Sequence, residues 1–192
     1  MTGEVQAPAG IVLAAGASRR FGAVKQLAPL RGRPLLGSAV ETMLAVPALD
    51  PVIVVLGHAA GEISAALDFG HATVVVADDW DDGQSASLKR GVAAAGDADA
   101  VAVTLGDQPF ITPQVIAGAL DQIDGYDAVR VTYGGAPGHP VVLGRRVMDA
   151  VGDLEGDTGA RALLARFRVR EWEAGHLCSA ADIDTREELA EL

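Results

Sequence analysis

The residues best suited to chemistry gather between Gly16 and Lys25. The segment Leu13-Ala-Ala-Gly-Ala-Ser-Arg-Arg-Phe-Gly-Ala-Val-Lys25 directly follows an apolar run, Gly10–Ala14. Gly16 and Gly22 allow tight turns and close approach to a ligand. Backbone N–H groups in such a loop can cradle phosphate oxygens. Ser18 adds a hydroxyl, Arg20 a planar fork and Lys25 a point charge, with Arg19 beside them. A second candidate is Asp107, in Gly106-Asp-Gln-Pro109 after another apolar run. A carboxylate at a strand end can ligate a hard divalent cation and bring it to phosphate oxygens. Asp182 and Asp184, two apart in an extended stretch, would share a side and approach the same ion, unless one of them caps the helix that follows. Gly83, Ser85 and Ser87 stand at the start of a helical segment, where free N–H groups favour anions; Ser85 is equally a candidate cap.

The whole chain carries the opposite sign from this loop. Its 192 residues hold 15 Lys plus Arg against 26 Asp plus Glu, a net charge of −11. That balance argues against broad binding of nucleic acid or of an anionic membrane surface. A small anionic ligand remains compatible, because local charge can oppose global charge. The single Cys178 excludes an internal disulfide or a four-thiolate zinc site and fits a reducing compartment. No apolar run is long enough for a membrane span, and Met1–Ala9 has no basic cluster before an apolar stretch, so a cytoplasmic location is expected.

The elements that must position these residues follow from periodicity. Strands are expected at Gly10–Ala14, Val52–Leu56, Ala72–Val76, Ala100–Leu105, Ala128–Thr132 and Pro140–Leu143, with an edge strand at Val169–Trp172. Helices are expected at Leu35–Val46, Ala59–Leu67, Ser85–Ala95, Val147–Val151 and Gly159–Phe167. Another should run over Pro113–Ile123, with Thr112 as N-cap, and a last over Thr185–Leu192, with Thr185 and Glu188 spaced as a capping box. Unbroken apolar strands alternating with helices predict an α/β doubly wound, mostly parallel sheet covered on both faces. No linker interrupts residues 1–192, which are read as one domain. In such a sheet, ligands sit beyond the carboxyl ends of the strands.

The first loop lacks the Gly-Lys-Ser/Thr ending of a P-loop and the G-x-G-x-x-G of a dinucleotide fold. Together with Leu27 and Gly32-Arg-Pro-Leu-Leu36, it resembles the signature of the MobA-like nucleotidyltransferases. Gly83-Gln-Ser-Ala-Ser-Leu-Lys-Arg-Gly91 and Leu105-Gly-Asp-Gln-Pro109 resemble segments of that family's molybdenum cofactor cytidylyltransferase branch. Gly138-His-Pro140, Gly156-Asp-Thr-Gly-Ala-Arg161 and Asp182-Ile-Asp-Thr185 follow in the family's order. The sister guanylyltransferases usually have Leu-Ala-Gly-Gly where this chain has Leu13-Ala-Ala-Gly16, which favours cytidine.

This resemblance implies a Rossmann-like, glycosyltransferase-A-like fold and transfer of a nucleoside monophosphate, CMP from CTP, to a molybdopterin-type cofactor with release of pyrophosphate. Arg20, Lys25 and Asp107 would be catalytic. Leu13, Ala14, Ala15, Gly16, Ser18, Lys25, Gly83, Ser85 and Ser87 would bind nucleotide. Asp107, Asp184 and Asp182 would hold Mg²⁺. A molybdoenzyme or its insertion chaperone would be the protein partner. His58 could touch the base and His139 the acceptor, each also readable as structural. Ala77-Asp-Asp-Trp80 departs from relatives that carry an Asn near Ala77. Three alternatives stay open: another phosphorylated acceptor, a relative of nicotine blue oxidoreductase, and a non-catalytic nucleotide-binding module.

Overall fold

The computed structural model describes residues 6–156 and 163–191. Seven strands form one sheet in the order β5-β4-β1-β6-β8-β7-β9. They are β1 (Ala9–Ala14), β4 (Val52–Leu56), β5 (Thr73–Val76), β6 (Ala100–Leu105), β7 (Ala128–Tyr133), β8 (Ala136–Gly144) and β9 (Val169–Glu173). The pairs β4–β5, β1–β4, β1–β6 and β7–β9 are parallel. Only β8 runs against its neighbours, pairing antiparallel with both β6 and β7.

Every residue of β1 is buried, and its side chains divide with the pleat. Ile11 and Leu13 join one core cluster; Val12 and Ala14 join the other. Helix α1 (Leu35–Leu44) and helix α4 (Pro113–Asp121) cover the Val12 face, through Leu36, Val40 and Met43 and through Val115, Ile116 and Ala119. Leu88 of α3 (Gln84–Ala94) and Val147 and Met148 of α5 (Arg145–Asp149) cover the Ile11 face. Each fully buried Ile or Leu contributes roughly 1.5–3 kcal/mol over its exposed state. This covering on both faces is why the strands read as continuous apolar runs. Helix α2 (Ala60–Ala66) completes the β4–β5 crossover.

The chain leaves β1 for β4 and β5 on one side and returns to β6 on the other. The reversal opens a crevice at the carboxyl ends of β1 and β6, the site that a switch point offers a ligand. The Gly16–Lys25 loop leaves β1 there, and Asp107 follows β6.

Two hairpins were not part of the sequence expectation. Strands β2 (Pro29–Leu30) and β3 (Arg33–Pro34) pair across Arg31 and Gly32, whose φ values of 51° and 82° suit a tight turn. Strand β8 begins at Ala136, four residues before the expected Pro140, because Gly134 and Gly135 turn β7 back on itself at φ 60° and 80°. Prolines and glycines obscure both in the sequence. The 156–161 motif falls outside the described residues after Gly156, as does the start of the expected 159–167 helix. The expected Val147–Val151 helix is α5 followed by a 3₁₀ turn at Val151–Asp153.

Glu173 ties the β7–β8 turn to β9. Its carboxylate accepts N–H bonds from Gly134 (2.8 Å), Gly135 (3.0 Å) and Gly175 (2.9 Å), and the Thr132 hydroxyl donates to it at 2.9 Å. The backbone donors of Gly135, Gly134 and Gly175 hold the Glu173 carboxyl down at about 2, below its ordinary 4.5. A depressed folded-state pKa stabilises above the unfolded value and loses that stabilisation as pH falls through the folded one. Glu173→Gln should therefore lower the melting temperature most above pH 5. The gap to wild type should shrink between pH 4.5 and 2, as differential scanning calorimetry across that range would show.

Candidate active site

The switch-point crevice is a cavity of about 530 Å³. Leu13, Ala14, Ala15, Gly16, Ser18, Arg20, Lys25, Gly83, Ser87, Asp107 and Asp184 all line it. Ser85 does not. It is buried, its backbone N–H donates to the Gly156 carbonyl at 3.2 Å, and Gly83 rather than Ser85 is the N-cap of α3. Gly22 takes the left-handed turn expected of it, at φ 69°, whereas the position of a Cβ on Gly16 faces open space.

Lys25 is the hub. It opens a single 3₁₀ turn, Lys25–Leu27, and is buried to 8% exposure. Its Nζ donates to Asp107 Oδ2 at 2.7 Å and to Asp184 Oδ1 at 3.3 Å. Arg20, largely exposed, reaches the other oxygen of Asp184 at 2.8 Å. The loop after β1, the loop after β6 and the C-terminal segment thus meet at one ion array. Gly106 lets Asp107 come this close, because a Cβ there would stand 2.9 Å from both Ala14 Cβ and Leu36 Cδ1.

The C-terminal segment is anchored by Ile183, 1% exposed among Phe21, Leu30 and Leu35, with its N–H donating to the Asp107 carbonyl at 3.2 Å. The capping box at α6 (Arg186–Ala190) forms as expected: the Thr185 hydroxyl accepts from Glu188 N–H, and the Glu188 carboxylate accepts from Thr185 N–H. Thr185 takes the capping role, which leaves the Asp184 carboxylate to Lys25 and Arg20.

Asp182 corrects the expectation of a shared acidic face. The stretch is not a sheet strand, and Asp182 lines a second cavity of about 600 Å³, where it accepts from Gln108 Nε2 at 2.6 Å. Burial raises its carboxyl above the ordinary value, with Asp107 and Asp184 adding to the rise against Gln108 and Lys25. Among the described residues no three acidic, His or Cys side chains converge on one point as a metal cage. The acidic residues that line the first cavity are Asp81, Asp107 and Asp184, and Lys25 bridges the last two.

The two cavities adjoin, sharing Gln84 and Leu105 as lining. His139 lines the second, and burial pushes its imidazole down to about 4 against the pull of Asp107, so it is neutral at pH 7. Tyr133 Oη donates to the His139 carbonyl at 2.6 Å. The wall of the first cavity beyond Gly57 is Trp80 rather than His58; the two rings meet edge-on with centroids 5.1 Å apart. Gly57 is needed there, since a Cβ would lie 2.5 Å from Trp80 Cβ. Gln26, Trp80, Gln108 and Ile183 belong to the two cavities or their support, and neither residue type nor spacing marks them in the sequence. Gln26 and Gln108 each adjoin a singled-out charged residue, and a buried polar neighbour was the available signal.

A cationic loop and a carboxylate facing each other across a switch-point crevice are the features of an α/β nucleotidyltransferase. The chain belongs to the MobA-like NTP transferase family, whose model matches residues 10–172. It is 32% identical over 200 residues to nicotine blue oxidoreductase of Paenarthrobacter nicotinovorans, covering 95% of each chain. It is also 32% identical to the purine catabolism protein PucB of Bacillus subtilis, over 93% of this chain and 92% of PucB. Rv0371c of Mycobacterium tuberculosis has the same fold at a TM-score of 0.89 and 31% identity, covering 98% of this chain and 97% of that one. A structure of Rv0371c in complex with manganese matches at a TM-score of 0.83, 30% identity and 97% coverage of each chain. No helix among the described residues is long and apolar enough to cross a membrane.

Proposed function

We propose that this protein transfers CMP from CTP to a molybdopterin-type acceptor and releases pyrophosphate, with the triphosphate in the first cavity and the acceptor in the second. The observation that carries this reading is the Lys25 ammonium, held by Asp107 and Asp184 where the β1 loop presents its backbone. An acceptor phosphate oxygen attacks the α-phosphorus, and the bond from that phosphorus to the bridging oxygen of pyrophosphate breaks. Charge builds on the α-phosphoryl oxygens and the leaving group, and Arg20 and Lys25 are the cations placed to meet it. The cytidine preference rests on the motif at Leu13–Gly16, and the molybdopterin-type acceptor on the motifs at Gly83–Gly91 and Leu105–Pro109.

The chemistry of the donors fits a divalent cation. Asp107 Oδ1 is buried with no hydrogen-bond partner among the described residues, and carboxylate oxygens suit Mg²⁺. The Asp182 carboxylate is engaged by Gln108 in the second cavity, whereas Asp107 and Asp184 would hold the ion. Bound there, it would supply Lewis-acid stabilisation of the phosphoryl charge. Lys25 and Arg20 would turn from the carboxylates to the phosphates, so that the carboxylates and cations separate as substrate enters.

Thermal shift with CTP, GTP, ATP and UTP in the presence of Mg²⁺ tests the nucleotide. CTP should give the largest rise in melting temperature. Pyrophosphate release with molybdopterin and CTP then tests the reaction. Absence of both binding and release with any nucleoside triphosphate and phosphorylated acceptor contradicts the proposal. The similarity to nicotine blue oxidoreductase over nearly the whole chain supports a second reading, a reductase. The β1 loop lacks a dinucleotide fingerprint, which weighs against it. Rapid oxidation of NADPH with a dye acceptor would reverse that ranking.

A further inference from the structure

The loop that follows β1 owes its shape to one side chain that has no charge. Gln26 is buried, at 7% exposure, inside the turn it braces. Its Nε2 donates to the Ala14 carbonyl at 3.0 Å and to the Gly16 carbonyl at 3.1 Å. Its Oε1 accepts from the Ser18 hydroxyl at 3.2 Å, and Ser18 sits in the left-handed region at φ 51°. The intervening Ala15 carbonyl accepts from His58 N–H at 3.0 Å. The carbonyls of Ala14, Ala15 and Gly16 are therefore all engaged by the protein.

A trans peptide points its N–H opposite its carbonyl. Fixing the carbonyls of Ala14, Ala15 and Gly16 thus fixes the N–H groups of Ala15, Gly16 and Ala17. None of these three donates to a protein acceptor among the described residues, and all three residues line the first cavity. Ala15 is buried and Gly16 and Ala17 open onto solvent, so these donors are free to take a ligand in place of water. A row of them is an anion receptor.

We infer that Gln26 is a positioning residue for phosphate binding: it turns the Ala14–Ala15 and Gly16–Ala17 peptides so that their N–H groups face the triphosphate. The inference rests on the nucleotide reading above and goes beyond it. Gln26 contacts no phosphate; it acts through the Ala15 and Ala17 amides, while His58 N–H holds the peptide between them. Without it the Ala14 and Gly16 peptides are free to rotate, and Ser18 loses the bond that holds its left-handed turn. A base-contacting residue would affect CTP alone, whereas Gln26 should affect any polyphosphate.

The test is calorimetric titration of CTP and of inorganic tripolyphosphate into wild type, Gln26→Met and Gln26→Glu. Methionine keeps the length and removes every hydrogen bond. Glutamate keeps the size and the Ser18 bond but has no donor for the two carbonyls, so it carries the test should the methionine variant fail to fold. Both variants should bind CTP and tripolyphosphate about tenfold or more weakly, the scale of two or three lost hydrogen bonds. KM for CTP should rise in step. The kcat at saturating CTP and the circular dichroism spectrum should stay near wild type, which a merely structural role would not predict. Wild-type affinity for both ligands in a folded variant overturns the inference and leaves the nucleotide reading standing. A wild type that binds neither CTP nor tripolyphosphate overturns both.

Discussion

Replacing Lys25 by Met should lower pyrophosphate release on the order of 10²–10³-fold, the range seen when one fixed donor to a developing oxyanion is removed. The fold should persist, because Lys25 is buried in sequence between Val24 and Leu27, which pack on the core, and a methionine can replace its methylenes. The ammonium now neutralises two carboxylates, at 2.7 and 3.3 Å. Their Lys25 partner gone, Asp107 and Asp184 repel each other. Complete burial would make such a loss worth ~3–5 kcal/mol. The Asp107 side chain is 25% exposed and Asp184 29%, so solvent screens the pair and the loss should be smaller. The second expected result follows from the same geometry. With no ammonium between them, the two carboxylates should take up Mn²⁺ more tightly in the absence of nucleotide than wild type does, as electron paramagnetic resonance would record.

Asp107→Asn should also reduce turnover by about 10² or more, with the opposite effect on the cation. Asparagine keeps the size of the side chain and the Gly106–Pro109 turn, and Lys25 retains Asp184. The anionic oxygen that lacks a partner is lost. Mn²⁺ binding should therefore weaken in Asp107→Asn and strengthen in Lys25→Met, while both lose activity. Equal Mn²⁺ affinity in the two variants and wild type would remove Asp107 from the metal and leave Lys25 as a purely structural ion-pair partner.

The strands that frame the site are legible in the sequence for a physical reason. Strands β1, β4 and β6 are buried on both faces, so β1 and β4 are unbroken runs of apolar residues and Thr104 is the one polar residue of β6. The Gly16–Lys25 loop is legible because its residues combine type, spacing and position after a strand. The antiparallel placement of β8 is not. Direction follows from the Gly134–Gly135 hairpin, and that turn is set in part by Glu173, some 40 residues away in sequence. Nor is the division of labour between Asp182 and Asp184. A two-residue spacing predicts a common face only for a strand, and this segment is held instead by the Ile183 plug and the Thr185–Glu188 box. Gln26 stayed hidden because its partners are backbone carbonyls, which every sequence shares.

The charge of −11 also takes a different meaning in three dimensions. Two acidic residues, Asp107 and Asp184, occupy the cationic loop's own partners in the structure. The loop is thus locally compensated rather than a bare positive patch, which explains why an acidic chain can present Lys25 without exposing it. On the proposed function, entry of a triphosphate would exchange one set of anions for another.

Isothermal titration of CTP into the full chain, with and without Mg²⁺, tests the central claim most directly when run on wild type, Lys25→Met and Asp107→Asn together. Wild type should bind one CTP per chain with Mg²⁺ present and much more weakly without it, and Lys25→Met should lose most of that affinity. Asp107→Asn should bind the same with and without the ion. A wild type that binds no nucleoside triphosphate, or one whose CTP affinity is unchanged by either substitution, would contradict the assignment of this cavity.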